Sequence, residues 1–288
     1  MARLGELVEL NPWAGPFARG GKLVSDTPAF ADARKHASIA RAAMGAGAWN
    51  TWALAMEAHA RKLKLNERDA WAALACADFQ GVTLAAADFA AARFPGRAHF
   101  AGARFAGDAW FNRAHFGDIA DFSDSVFERD CFFEGAHFAT AADFGHARFK
   151  RDLQARQADF RSAAKFAGAV FDRSVWFRDA KFAGRADFRD AVFLSEASFG
   201  AAAFTAADFT HADFSDTTSF DGARFSGEAR FESVRFGAKA WFDGASFAAA
   251  ANFDRARFTQ PPMFDGVAVA ERTQTPIEQL RTRLGDKS

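Results

Sequence analysis

The sequence predicts an all-β solenoid, and three observations support this prediction. The 288 residues include 36 Phe and 7 Trp but no Tyr. From Phe94 to Phe264, apart from two interruptions and with Phe132 left aside, successive phenylalanines are separated by six and five residues in alternation. A small residue, usually Ala, precedes almost every one of them by two positions. Only a repeated structural position explains such a period, because scattered functional aromatics would not keep it.

The spacing of the phenylalanines is incompatible with an α-helix. Steps of five and six residues rotate around a helix by about 140° and 240°, so the rings would not share a face. The two-residue offset between Ala and Phe instead matches a strand, in which alternate side chains point to the same side. We therefore predict short strands joined by turns, with Ala and Phe inside and the residue between them outside.

The repeat units resemble those of the pentapeptide-repeat family, whose consensus is Ala-Asp/Asn-Leu/Phe-x-x. Ala77-Asp78-Phe79, Ala87-Asp88-Phe89 and Ala207-Asp208-Phe209 reproduce this consensus, and the resemblance covers about residues 72–264. It implies a right-handed quadrilateral β-helix with four units per coil. The six-residue gaps are a departure from the family pattern, and two of them per coil give 22 residues. We expect about nine coils, or ~40 Å of strands stacked ~4.8 Å apart.

Two irregularities interrupt the period. In one unit the large and small residues are exchanged: Leu153 takes the Ala position and Ala155 takes the Phe position. This exchange roughly conserves core volume, which indicates that both positions are interior. The gap between Phe204 and Phe209 is one residue short. There we expect a local offset of the coil without a break in the strand ladder.

The sequence predicts three regions: a helical N-terminal cap over residues 1–71, the β-helix over 72–264, and a C-terminal tail with a short helix over 265–288. Thr27-Pro28 is typical of an N-cap followed by proline at the first helical position, and opens an Ala-rich helix through Met44. A second helix is predicted to carry Trp49, Trp52, Met56 and Leu63.

Sequence features at both ends predict caps for the solenoid, which needs them because each coil is closed only by its neighbours. Trp49-Asn50-Thr51-Trp52 resembles the WNxW segment that precedes repeats in this family, which implies packing over the first coil. Thr275-Pro276-Ile277-Glu278 has capping-box spacing and begins an apolar stripe that continues at Leu280 and Leu284. We expect this helix to lie on the last coil or on a partner subunit.

Composition argues against several classes of protein. The 36 basic and 36 acidic residues give a formal net charge of zero, so no overall field attracts nucleic acid or anionic lipid. Cys76 and Cys131 are too few for a disulfide framework or a structural zinc site. No apolar run has the length of a signal peptide or a membrane span. We therefore expect a soluble cytoplasmic protein with no membrane partner.

The sequence contains no motif that predicts catalysis or a cofactor. It has no Gly-rich phosphate loop, HExxH or GxSxG motif. His115 and His137 are 22 residues apart and should lie one above the other on an outer side, with Asp159 next in the column. Cys131 occupies an Ala position and points inward, so it adds no ligand to them. The prediction is a protein that is not an enzyme and has no catalytic, cofactor or metal site.

One outward column is unusually aromatic. The residues before every fourth interior position along one side are Trp110, Phe132, Gln154, Trp176, Ser198, Ser219, Trp241 and Met263. An aligned aromatic stripe is the kind of patch that marks an interface. The candidate interaction face consists of Trp110, Phe132, Trp176, Trp241 and Met263. It would bind a second copy of the chain or a different protein, unless the N-terminal helices or the tail cover it.

The predicted function is that of a non-enzymatic scaffold that binds a protein partner or self-associates. Relatives of this fold that imitate B-DNA and engage DNA gyrase, conferring resistance to its poisons, suggest an alternative. Such mimicry over ~40 Å needs about 20 negative charges. Residues 75–264 contain 25 acidic and 22 basic side chains, so gyrase is the less favoured partner. Direct nucleic-acid binding, through the basic stretch from Lys150 to Arg189, is not favoured either, because five Asp lie within it.

Overall fold

The computed structural model describes residues 2–20, 22–63 and 67–269 of the chain. Its main body is a four-sided β-helix in which every side is a ladder of parallel strands. The sides are called faces I to IV, in the order in which the chain meets them. The all-β solenoid predicted from the period of the phenylalanines is thereby confirmed.

The strands are short, and each face is one vertical column of them. Those of face I are Ala77–Asp78, Ala98–His99, Ala120–Asp121, Ala142–Asp143, Ala164–Lys165, Ala229–Arg230 and Ala251–Asn252. Those of face II are Thr83–Leu84, Arg104–Phe105, Val126–Phe127, Arg148–Phe149, Val170–Phe171, Val192–Phe193, Asp213–Phe214, Arg235–Phe236 and Arg257–Phe258.

Face III is the column that contains the aromatic stripe. Its strands are Ala87–Asp88, Ala109–Trp110, Cys131–Phe132, Leu153–Gln154, Val175–Trp176, Ala197–Ser198, Thr218–Ser219 and Ala240–Trp241. Those of face IV are Arg93–Phe94, His115–Phe116, His137–Phe138, Asp159–Phe160, Arg224–Phe225, Ser246–Phe247 and Ala268–Val269. Two longer strands, Lys181–Asp187 and Ala203–Asp208, run from face IV around the corner into face I.

Successive coils stack with the predicted 22-residue register. Ala98 pairs with Ala120, and His115 pairs with His137. Face II has nine strands, one for each coil. Coils 1 to 9 are numbered here by the outward residue on face III: Asp88, Trp110, Phe132, Gln154, Trp176, Ser198, Ser219, Trp241 and Met263.

The interior is a set of stacked phenylalanine rings. On face I the ring of Phe122 lies parallel to those of Phe100 and Phe144, with centroids 4.7 and 4.9 Å away. The ring of Phe111, from face III, meets Phe122 edge-on at 5.3 Å. The spacing of parallel strands is therefore also a favourable spacing for aromatic stacking. Phe suits these positions better than Tyr because its ring leaves no buried hydroxyl to satisfy.

The five-residue steps, which follow faces I and III, turn through one left-handed residue. The amide of Ala223 donates a hydrogen bond to the carbonyl of Phe220 at 2.9 Å, and Gly222 between them has φ +64°. The equivalent residue one coil earlier is Ala201, with φ +55°. A left-handed backbone favours glycine, because a Cβ there approaches the carbonyl oxygen.

A matched pair of substitutions tests this corner geometry. Gly222→Ala is expected to lower the free energy of unfolding by about 1 kcal/mol, although a Cβ would meet no atom within 4 Å. Ala201→Gly is expected to leave stability unchanged or to raise it by up to about 1 kcal/mol, because it relieves the same strain. Denaturant unfolding of both variants measures the difference, and equal losses at the two positions would contradict the explanation.

The shortened gap produces the predicted local offset. Lys181 pairs with Ala203, 22 residues on, but Arg185 pairs with Ala206, 21 residues on, and the ladder continues on both sides. The crowded corner explains a glycine in the next coil, because a Cβ on Gly227 would lie 2.1 Å from the carbonyl oxygen of Thr205. The step from Leu84 to Phe89 in coil 1 is short in the same way.

The exchanged unit is interior, as predicted. Leu153 and Ala155 are both buried. Because Ala155 has no ring, the face III stack is interrupted between Phe133 and Phe177, and Leu153 fills only part of the space. A small gap with no room for a water molecule remains among these side chains.

Helices cover the N-terminal end of the β-helix. They are α1 (Ala2–Leu10), α2 (Pro28–Ala43), α3 (Ala46–Ala60) and α4 (Arg68–Ala75), with a 3₁₀ helix at Pro12–Phe17 and a ribbon of Ala18–Arg19 and Lys22–Leu23. The predicted N-cap is present, since Oγ1 of Thr27 accepts a hydrogen bond from the amide of Phe30 at 3.2 Å. Sequence reasoning missed α1, the 3₁₀ helix, the ribbon and α4.

Trp49 joins the cap to the first coil, as the WNxW resemblance implied. Its indole lies over Phe79, Phe89 and Phe94, with ring centroids 5.9, 5.6 and 5.3 Å away. Its Nε1 donates a hydrogen bond to the carbonyl of Arg93 at 2.8 Å. The aromatic core therefore continues into the helical cap.

The structure differs from the expected region boundaries in detail. Leu63 was predicted to lie on the second helix, but α3 ends at Ala60, so that prediction is wrong. Helix α4 crosses the proposed boundary between residues 71 and 72, and strand Ala268–Val269 lies beyond residue 264. The predicted helix that begins near Thr275 lies outside the described residues.

Candidate interaction face

The structure places all five predicted residues of the aromatic stripe in one column on face III. Trp110 is the register partner of Phe132, and Trp241 forms a parallel bridge to Met263. Trp176 lies between these two pairs on the same column. The 22-residue coil brings them together, because it returns the chain to the same side after every fourth unit.

The stripe is open to solvent at both ends. Trp110 is 39% exposed and Met263 is 44% exposed. The rings of Trp110 and Phe132 are stacked, with centroids 4.0 Å apart and planes at 6°. Helices α2 and α3 pack on the first strands of faces I and IV. The N-terminal helices therefore do not bury the stripe, and the tail from residue 270 onward, the other predicted cover, lies outside the described residues.

Trp176 also contacts a cation. The guanidinium carbon Cζ of Arg156 lies 5.2 Å from the centre of the Trp176 ring, a cation–π distance. Arg156 comes from the coil below and from the corner between faces III and IV. This contact keeps the guanidinium on face III, beside the stripe.

Charged side chains border the stripe along two rims. The II/III rim consists of the corner residues just before each face III strand, and the III/IV rim consists of the corner residues just after it. The charged members from coil 2 onward are Asp108, Arg113, Arg129, Asp130, Glu134, Arg151, Asp152, Arg156, Arg173, Arg178, Asp179, Glu196, Asp216, Asp221, Lys239, Asp243 and Asp265.

Most rim charges lack a salt-bridge partner. Within the described part of the chain, the only ion pair within 4.0 Å among them joins Arg178 to Asp179, at 3.6 Å. On faces I and II opposite charges of successive coils form ion pairs. Examples are Lys165 with Asp143 on face I at 3.2 Å and Arg148 with Asp172 near face II at 3.1 Å. On face IV, Nδ1 of His137 lies 3.1 Å from Oδ2 of Asp159.

The rims were not singled out from the sequence. A detectable signal was present, since the 22-residue period assigns the residues three and four before, and one and two after, each interior position of face III to the same two corners. Whether a charge there is paired depends on the side chains of the coils above and below. That information exists only in the three-dimensional arrangement.

The histidine column on face IV has the predicted order but forms no ligand cluster. The rings of His115 and His137 are stacked with centroids 4.8 Å apart, and Nδ1 of His137 lies 3.1 Å from Oδ2 of Asp159. Burial, followed by the nearby charges of Arg93 and His137, lowers the pKa of His115 and disfavours its protonated form. In residues 2–20, 22–63 and 67–269, no group of three or more His, Cys, Asp or Glu is arranged to hold a metal ion.

Cys131 points into the core, as expected from its Ala position, and is fully buried. Burial raises the pKa of its thiol well above the usual value. The protonated thiol is a poor nucleophile and a poor metal ligand.

Among the helices described, none is both long and apolar enough to cross a membrane.

Comparison with known proteins identifies the repeat. A family model described as Pentapeptide repeats (9 copies) matches residues 74–115, 111–154, 147–192 and 209–257, together more than half of the chain. No curated protein matches the chain. The family match covers the same part of the sequence as the stacked Ala and Phe positions. The chain therefore belongs to the pentapeptide-repeat family.

Proposed function

We propose that this protein is a non-enzymatic repeat scaffold that binds a protein surface, either that of a partner or that of a second copy, through face III. The observation that carries the proposal is the aromatic stripe between two rims, most of whose charges have no ion-pair partner in the described part of the chain. Aromatic residues and Arg are enriched at the centres of protein interfaces. The repeat also assigns nearly every other side chain to coil geometry, which supports a role without chemistry.

Electrostatics supports a protein partner over a DNA-like role. Faces I, II and IV each have charges of both signs, and pairs such as Lys165 with Asp143 and Arg148 with Asp172 bring opposite charges of successive coils together. The rims of face III also contain both signs, with Arg151 and Asp216 on the same corner. A surface of mixed sign suits a specific protein partner, whereas a DNA mimic needs one uniform sign.

Replacing Trp176 and Trp241 with Ser is expected to weaken association by at least about tenfold without lowering the melting temperature. Central Trp residues contribute about 2 kcal/mol or more to an interface when truncated. Leu54→Ser is the control, because Leu54 is 53% exposed on helix α3, away from face III. Association is measured by light scattering for self-association and by capture on immobilised protein for a partner.

The control variant should associate as the wild-type protein does. Circular dichroism melts of all three proteins separate loss of binding from loss of folding. If the double variant folds normally and both self-association and capture are unchanged, face III is not the binding surface. The proposed function would then be wrong.

A further inference from the structure

We infer that face III binds face III of a second copy of this chain, with the two β-helices antiparallel. The inference rests on the proposed function, since it names the partner of that same surface. It starts from the order of residues along the column. When the column is followed in both directions from the boundary between coils 5 and 6, the large central side chain meets a small one, the outer apolar side chains meet each other, and most rim charges meet a charge of opposite sign.

The arrangement has one two-fold axis, which lies in the interface and perpendicular to the axes of the β-helices. Coil 5 of one copy then opposes coil 6 of the other, coil 4 opposes coil 7, coil 3 opposes coil 8, and coil 2 opposes coil 9. Trp176 meets Ser198, so the largest side chain at the centre faces one of the smallest. The outer contacts join Phe132 to Trp241 and Trp110 to Met263.

The II/III rims become complementary in this arrangement. Because the axis preserves the strand direction, the II/III rim of one copy faces the II/III rim of the other. The resulting pairs are Arg151 with Asp216, Arg173 with Glu196, and Asp130 with Lys239. In the described parts of a single copy, none of these six side chains has an ion-pair partner within 4.0 Å.

The III/IV rims are complementary at two positions. Arg156 opposes Asp221, and Arg113 opposes Asp265. Oδ2 of Asp221 accepts a hydrogen bond from Ser219 at 3.0 Å, but its Oδ1 has no hydrogen-bond partner among the described residues. A guanidinium opposite this carboxylate would place a cation beside its charge. Glu134 opposite Asp243 is the one unfavourable contact.

A parallel dimer would set like charges against each other at coils 4 and 7, although opposite charges would still meet at coils 3 and 8. An axis parallel to the β-helices sets each coil against the same coil and brings the II/III rim against the III/IV rim. Arg151 would then oppose Arg156, and Asp216 would oppose Asp221. Like charges facing each other across an interface are strongly unfavourable. The charges of coils 4 and 7 therefore favour the antiparallel orientation.

The size of the face predicts a dimer of moderate affinity. Eight overlapping coils give a contact about 40 Å long at ~4.8 Å per coil, and the strand with its rims is about 15 Å wide. About 1,200 Å² would be buried over both copies, which is the lower end for specific interfaces. We expect dissociation on the order of micromolar, weakened by salt because the rim pairs are partly solvated.

A charge-reversal experiment tests the pairing directly. One variant has Arg151→Asp with Arg156→Asp, and the other has Asp216→Arg with Asp221→Arg. Each variant by itself has like charges at both rims, so its self-association should be at least about tenfold weaker than that of the wild type. In an equal mixture every altered contact is again between opposite charges. The mixture should dimerise within about threefold of the wild-type affinity.

Sedimentation of the full-length chain at rising concentration gives the masses, with dimer at twice 31.3 kDa. Arg224→Asp is the control, because Arg224 is an exposed residue of face IV with no ion pair among the described residues. Circular dichroism melts confirm folding of each variant. Dimerisation of the wild type, its loss in each variant and its return in the mixture would establish the antiparallel pairing.

Two results would overturn the inference. One is a wild-type protein that stays at 31.3 kDa at every concentration. The other is a wild-type protein that dimerises while an equal mixture of the two variants does not. If the wild-type protein is a monomer, the proposed function is still tested by whether the Trp176 and Trp241 double variant loses capture of a partner. The two proposals therefore fail through different measurements.

Discussion

Phe133→Ala is expected to lower the free energy of unfolding by about 3–5 kcal/mol, whereas Phe132→Ala, one residue earlier, should cost about 1 kcal/mol or less. Phe133 is buried and its ring stacks on Phe111 at 4.8 Å. Phe132 points outward and stacks on Trp110 at the surface. The same substitution at adjacent residues therefore removes an interior ring in one case and a half-exposed ring in the other.

Denaturant unfolding, at a protein concentration low enough to keep the chain monomeric, measures both costs. The difference comes from the cavity that Phe133→Ala would create, which neighbouring coils cannot close without breaking their own stacking. Similar costs at the two positions would show that the assignment of interior and exterior is wrong. Loss of association in Phe132→Ala with normal stability would further place Phe132 in an interface.

Restoring the consensus at the exchanged unit should reveal strong coupling between two neighbouring residues. Leu153→Ala by itself is expected to cost about 2–5 kcal/mol, because it enlarges the gap beside Ala155. Ala155→Phe by itself is expected to cost about 1–3 kcal/mol, since the new ring would compete with Leu153 for space. The double variant should be at least as stable as the wild type, because its ring would continue the stack from Phe133 to Phe177.

A double-mutant cycle measures this coupling, which should reach about 3 kcal/mol or more. Unfolding of all four proteins under the same conditions supplies the four free energies. If the costs of the single variants simply add in the double variant, Leu153 and Ala155 do not share one volume. The exchange would then have an origin other than conserved core packing.

The interior of this protein was predictable because it repeats. Every fifth or sixth residue must fill the same space against the coil above and the coil below, so the sequence shows the period directly. The offset at Phe204 and the exchange at Leu153 were predictable for the same reason, since each is a visible departure from the period. The N-terminal helices α1 and α4 have no such repetition, and their short apolar patterns gave no comparable signal.

The stripe itself was also predictable, once the coil length was known. Trp110 and Phe132 are 22 residues apart, and the coil length alone places them on one face. Their exposure was not predictable, because it depends on where α2 and α3 pack.

By itself the sequence determined the fold, the coil length, the interior residues and the alignment of the stripe, because core volume and strand geometry allow one solution. The tertiary structure alone decided which surface charges are paired. Lys165 and Asp143 neutralise each other between coils, whereas Arg156 rests on Trp176 and Asp221 has no ion-pair partner among the described residues. The physical reason is that charge pairing depends on side-chain direction between stacked coils, and a periodic pattern of residue types does not contain that direction.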